Sequence, residues 1–131
     1  MGGAEPRARY ESAQELFVAQ EVARRMIASH YGRFINIGSI TSVIGYSGLG
    51  PYGASRGGIR QFTMSLADVW GKYGMTANCL APGCFCTERN KVLYDSEEWV
   101  QSLRDRIPLK QPGELRDLDA AVVFLAAKSS P

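Results

Sequence analysis

Long apolar runs are missing from this sequence: no stretch approaches the ~20 residues a membrane-spanning helix needs, so no membrane association is expected. An excess of one charge sign is missing too. Fifteen Lys and Arg stand against thirteen Asp and Glu, dispersed along the chain for a formal net charge of +2. No basic stripe marks a nucleic-acid surface, and nucleic acid is not an expected partner. Cysteine is scarce: Cys79, Cys84 and Cys86 are an odd number, in a chain with no cleavable apolar leader. That argues against a secreted disulfide framework and for reduced thiols in the cytoplasm. The single histidine is His30. Cys84-x-Cys86 with Cys79 and His30 matches no structural zinc spacing, so no metal site is expected. Met1-Gly2 lacks the Ser or Thr at position 6 that a myristoylation signal carries.

Repeats and low-complexity tracts are absent as well. What is present is the balance of a globular protein, with 45% hydrophobic and 21% charged residues. A chain of 131 residues suits one domain with one core. Residues 1–9 are small and polar, contain Pro6 and show no periodicity, so residues 1–10 are expected to be a disordered terminus and 11–131 the folded body. Leu16, Ala19, Gln20, Ala23, Met26 and Ile27 recur at helical spacing, which predicts an amphipathic helix ending at Gly32. Residues 33–38 are short, apolar and bounded by glycines, as a buried parallel strand would be. A Gly- and Ser-rich loop over 39–50 follows, and Pro51 suits the first turn of a second helix. Ile59, Phe62, Leu66, Val69 and Tyr73 keep that helix's apolar face in step as far as Tyr73, with Gly74 as its stop. Residues 75–81 read as a second buried strand closed by Pro82-Gly83. Two apolar strands joined by a long helix predict a right-handed βαβ unit with parallel strands. Asp95 and Glu98 have capping-box spacing for a short helix to about Arg104, and Leu115, Leu118, Val122 and Leu125 share one face of a last helix. The total is two strands and four helices, a thin sheet for this class.

Chemistry concentrates in Asn36-Ile-Gly-Ser39 and Tyr52-Gly-Ala-Ser-Arg56. Ser39 lies at the carboxyl end of the first strand and Tyr52 at the start of the next helix, and ligands of open α/β sheets bind at strand carboxyl ends. Tyr52 and Arg56 are four apart and share a helix face. A cation beside a phenol favours the phenolate and makes the phenol a better proton donor and acceptor near neutral pH. Ser39 is placed to polarise a carbonyl oxygen.

A Ser followed by Tyr-x-x-x-Lys is the signature of the short-chain dehydrogenase/reductase family, and residues 14–127 resemble that family. Gly32-Arg-Phe-Ile-Asn-Ile-Gly-Ser39 resembles its fifth strand, Asn78-Cys-Leu-Ala-Pro-Gly83 its sixth, and Asp119-Ala-Ala-Val-Val-Phe-Leu-Ala126 its penultimate helix. The fold this resemblance implies is α/β: a partial Rossmann-type doubly wound parallel sheet, truncated at both ends, with 11–131 as the catalytic half of a single domain. The activity it implies is hydride transfer between NAD or NADP and an alcohol or carbonyl. Tyr52 would be the general acid/base, Ser39 would orient the substrate oxygen, and Arg56 would stand where the family's lysine holds the nicotinamide ribose. Pro82 and Gly83 would line the nicotinamide, and Thr87 would bond its carboxamide or phosphate side.

The sequence also departs from the family. Arg56 replaces a compact ammonium with a planar fork, which is not a conservative exchange. The family's relay asparagine would fall near Glu11, and no Asn occurs in residues 1–35. The Gly-rich turn that holds the cofactor pyrophosphate, and the residue that reads the adenosine ribose, have no counterpart. These departures imply a chain inactive by itself. Residues 82–90 and 106–113 are similar to sugar-acid and polyol dehydrogenases of the gluconate 5-dehydrogenase kind, which implies a small alcohol or carbonyl substrate such as a sugar acid or polyol. Arg89 and Lys91 admit two readings, an attraction for an anionic substrate or a solvated surface pair. In the family the two long helices pair between subunits, which implies a homo-oligomer. The alternative is a non-catalytic chain presenting those helices as an interaction module.

Overall fold

The structure is a computed structural model; it describes the backbone of residues 5–130 and the side chains of residues 14–130. The chain forms two compact units, Met1–Ala81 and Pro82–Pro131.

The first unit opens with helix α1, Glu5–Ser29. It takes in residues 5–10, which the sequence pattern assigned to a disordered terminus; residues 1–4 lie outside the described residues. Pro6 is compatible with this start, because the first turn of a helix has no partner for the N–H that proline lacks. Ala19 and Ala23 are buried one turn apart, and Met26 and Ile27 pack against the same core. Leu16 and Gln20, expected on that face, are exposed. His30 turns the chain out of the helix with a left-handed φ of 50°.

Strand β1, Gly32–Ile37, pairs in parallel with β2, Met75–Leu80, in a register running from Gly32 opposite Met75 to Ile37 opposite Leu80. Parallel neighbours need a long crossover, and helix α2, Gly50–Trp70, supplies it with Pro51 in its first turn. The core of this unit joins Ala19, Ala23, Phe34, Leu66 and Met75, with Met26, Phe62, Trp70 and Tyr73 packed around them. The Phe34 and Trp70 rings meet at 5.2 Å between centroids.

Apolar periodicity misplaced one residue of α2. Val69 is exposed, and Thr63 takes an inward place at 2% exposure beside Ile59 and Leu66. Its hydroxyl donates to the Ile59 carbonyl at 2.8 Å and accepts from Asn36 Nδ2 at 2.9 Å, so the buried polar group is satisfied. A 3₁₀ turn over Gly71–Tyr73 ends the helix, and Gly74 closes it with φ 75°.

The second unit carries α3 (Lys91–Tyr94), α4 (Glu97–Arg106) and α5 (Asp119–Ala126), the last preceded by a 3₁₀ turn over Leu115–Leu118. Among the described residues there are thus five α-helices where four were expected, α3 being the addition. The cap of α4 is Ser96, not Asp95: Ser96 Oγ accepts from the Trp99 N–H at 3.3 Å. Glu97 and Glu98 in the first turn and Arg104 and Arg106 in the last complement the helix dipole. Leu103 is buried at 1% exposure, whereas Leu115 and Val122, expected on a buried face, are exposed. Phe85 bridges to Gly113, whose N–H donates to the Cys84 carbonyl at 2.9 Å. Among the described residues no helix is long and apolar enough to cross a membrane, and no group of three or more His, Cys, Asp or Glu is placed to hold a metal ion.

Candidate active site

Ser39 follows β1 after Gly38 while the backbone is still extended, at φ −159° and ψ 161°. It then caps a 3₁₀ turn over Ile40–Ser42. Ser39 Oγ accepts from the Thr41 N–H at 3.2 Å, and the Ser39 N–H donates to Ser42 Oγ at 3.0 Å. These reciprocal bonds hold Ser39, which is buried, in one orientation. A hydroxyl has one donor and two acceptor sites. Thr41 occupies one acceptor site, and the Ser39 proton stays available to a carbonyl oxygen.

Ser42 Oγ in turn donates to the backbone carbonyl of Arg56 at 2.8 Å. This bond fastens the turn after β1 to α2, and so brings Ser39 together with the stretch that carries Tyr52 and Arg56. Gly38 permits the close approach. Its N–H donates to the Leu80 carbonyl at 2.7 Å, and a Cβ there would stand 2.8 Å from Cys79 Sγ and 2.9 Å from Ser42 Oγ.

Tyr52 sits in the first turn of α2 and is 41% exposed, open to a small molecule. Arg56, one turn on, lays its guanidinium over the Tyr52 ring, with Cζ 5.2 Å from the centroid. Its Nη1 donates to the Ile37 carbonyl at 3.2 Å. The expected meeting at i, i+4 spacing occurs, in the form of a cation–π contact anchored to the end of β1. A cleft of about 270 Å³ lies in the same unit, lined by Gln14, Glu15, Val18, Ala19, Phe34 and Asn36. None of Ser39, Tyr52 and Arg56 belongs to that lining. The position near Glu11 falls outside the described side chains.

Pro82, Gly83 and Thr87 belong to the second unit. Gly83 is exposed, with no atom within 4 Å of where its Cβ would stand. Thr87 is half-buried, and both its N–H and its hydroxyl donate to Asn90 Oδ1, at 2.6 and 2.9 Å. Arg89 and Lys91 are exposed.

Sequence reasoning passed over Ser42 and Asn90. The spacing Ser39-x-x-Ser42 was a legible signal for the first, since it repeats the three-residue reach of a capping box. Thr87-x-x-Asn90 was an equally local signal for the second.

In this parallel βαβ unit the turn that Ser39 caps is bound, through Ser42, to the helix that bears Tyr-x-x-x-Arg. A family model described as enoyl-(acyl carrier protein) reductase matches residues 12–131. The chain belongs to the short-chain dehydrogenase/reductase family, and its fold is a partial Rossmann-type α/β unit. Among its relatives, gluconate 5-dehydrogenase of Gluconobacter oxydans (strain 621H) is 39% identical over 114 residues, covering 87% of this chain and 44% of that protein. The 2-dehydro-3-deoxy-D-gluconate 5-dehydrogenase of Formosa agariphila is 32% identical over 114 residues, covering 86% of this chain and 43% of that protein. Among solved structures, a gluconate 5-dehydrogenase from Burkholderia cenocepacia J2315 in complex with NADP and tartrate aligns with TM-score 0.82 and 41% identity, over 84% of this chain and 43% of that one. The chain therefore spans less than half the length of the relatives it matches.

Proposed function

We propose that this chain carries the proton-transfer machinery of an NAD- or NADP-dependent short-chain dehydrogenase acting on a sugar acid or polyol. The observation that carries this reading is the Ser42–Arg56 bond, which couples the Ser39 turn to the Tyr52–Arg56 turn. Tyr52 is the general acid in carbonyl reduction, its exposed phenol giving a proton to the substrate oxygen, and the base that takes it back in alcohol oxidation. Ser39 donates its free hydroxyl proton to the same oxygen and holds it in place. Arg56 supplies fixed positive charge beside the phenol. A nicotinamide cofactor, when bound, gives or takes the hydride at the carbinol carbon.

The residues present suit the nicotinamide end of such a cofactor. Within the first unit these are Tyr52 and Arg56; within the second they are Pro82, Gly83 with its open surface, and Thr87 with its oriented hydroxyl. The sugar-acid assignment rests on the relatives named above. The test is a chimera joining this chain to the amino-terminal half of a gluconate 5-dehydrogenase, assayed with 5-ketogluconate and NADPH. Tyr52→Phe should lower kcat more than about 100-fold while leaving cofactor affinity nearly unchanged. Equal turnover by the Phe variant removes Tyr52 from the mechanism.

A second reading has its own observation. Phe17 and Val18 on α1 are 65% and 62% exposed, and Met64 and Val69 on α2 are each 53% exposed. Apolar groups so placed favour a homo-oligomer, or an interaction module, formed through the two long helices.

A further inference from the structure

We infer that Asn90 is a positioning residue that fixes the polarity of Thr87, so that Thr87 Oγ1 meets a ligand as a hydrogen-bond acceptor and selects an N–H donor. The inference rests on the nicotinamide reading above and deepens it by assigning Asn90 a role.

The argument begins with the orientation of the Asn90 amide. Its two ends are told apart only by their partners, and here the partners leave one solution. The Thr87 N–H can only donate, and it lies 2.6 Å from Oδ1. The Phe85 carbonyl can only accept, and it lies 2.9 Å from Nδ2. Oδ1 therefore faces Thr87 and carries no hydrogen. The Thr87 hydroxyl, 2.9 Å from that same oxygen, must then be the donor. A threonine hydroxyl has a single proton and two acceptor sites. With the proton given to Asn90, only acceptor sites remain for a ligand. The Asn90 N–H also donates to the Thr87 carbonyl at 3.0 Å, so the two residues are bound through backbone and side chain together.

An acceptor at this position pairs with the NH₂ of a primary carboxamide. Toward a phosphate oxygen, itself an acceptor, it offers no bond. The sequence alone left Thr87 with a carboxamide or a phosphate as its partner, and the Asn90 bonds favour the carboxamide.

The test is a titration of the full chain, followed by NMR at the Thr87 and Asn90 amides, with two probes. Nicotinamide mononucleotide carries the carboxamide; its 3-acetylpyridine analogue has a methyl group in place of the NH₂, at the same net charge. The natural chain should bind the carboxamide probe about fivefold more tightly, the worth of one neutral hydrogen bond. Asn90→Ala should bring the ratio to about one, because a released hydroxyl can accept from the amide or donate to the ketone with equal ease. Asn90→Asp keeps an acceptor for both Thr87 donors and should retain the preference. Equal binding of the two probes by the natural chain overturns the role of Asn90. So does an Asn90→Ala variant that weakens both probes alike, which marks a purely structural residue, or an Asp variant that loses the preference. Absence of any shift with either probe overturns the nicotinamide reading itself, and the inference with it.

Discussion

At the scale of single residues, Arg56 shows how one exchange changes a site without emptying it. The guanidinium keeps the charge where the family's lysine would be, but its Nη1 is held by the Ile37 carbonyl and its plane rests on the Tyr52 ring. A lysine at this position would be a mobile point charge on a flexible stem, able to approach a ribose hydroxyl and the phenol in turn. In the chimera described above, Arg56→Lys is expected to raise turnover several-fold, and Arg56→Met to lower it about tenfold or more. Steady-state rates for the three proteins at saturating cofactor decide the matter. If Lys gives no gain and Met matches Arg, position 56 is a helix surface residue with no part in the reaction. Both Tyr52 and Arg56 were legible in the sequence, because i, i+4 spacing on a helix is a local property. The carbonyl that anchors Arg56 was not, since Ile37 is 19 positions away.

At the scale of elements, the two units offer separate tests. Gly74 ends the crossover helix with φ 75°, and a Cβ there would stand 2.5 Å from the His30 carbonyl oxygen. Left-handed backbone alone costs an L-residue roughly 1–2 kcal/mol, and the clash adds to it. Gly74→Ala should therefore lower the stability of the first unit by about 2 kcal/mol or more, read as a fall in urea midpoint. An unchanged midpoint would mean that the turn relaxes freely. In the second unit, burial raises the Cys84 thiol above its ordinary value, with Arg106 partly opposing it. Burial likewise raises Tyr94, helped by Cys84 and Cys86. The sign follows from proton binding: above about pH 9 the unfolded chain releases the Cys84 proton while the folded chain retains it. This stabilising contribution is complete below that pH and is lost as pH rises toward the folded value. Cys84→Ser should flatten the alkaline decline of the unfolding midpoint above about pH 9. A decline of equal steepness in the Ser variant would assign it to other groups.

At the scale of the whole molecule, the chain covers 44% of a gluconate 5-dehydrogenase while matching it over 87% of its own length. Calorimetric titration of the chain should give affinities for NADH and NADPH no tighter than about millimolar, the expectation for nicotinamide-side contacts without a pyrophosphate turn. Micromolar binding would refute this. Light scattering on the same sample tests the oligomer reading, with a mass above the monomer's 14.4 kDa expected and Phe17→Glu expected to reduce it. The sequence by itself determined the order of helix, strand, helix and strand, the stop at Gly74, the shared face of Tyr52 and Arg56, and the family. All of these rest on spacing within a few residues or on the order of short motifs. Tertiary structure alone decided that Thr63 rather than Val69 turns inward, since that choice depends on Asn36, 27 positions away, meeting its hydroxyl. It alone bound Ser42 to the Arg56 carbonyl across 14 positions. Such bonds exist only once the chain has closed on itself, and no local periodicity encodes which polar groups will then stand within 3 Å of one another.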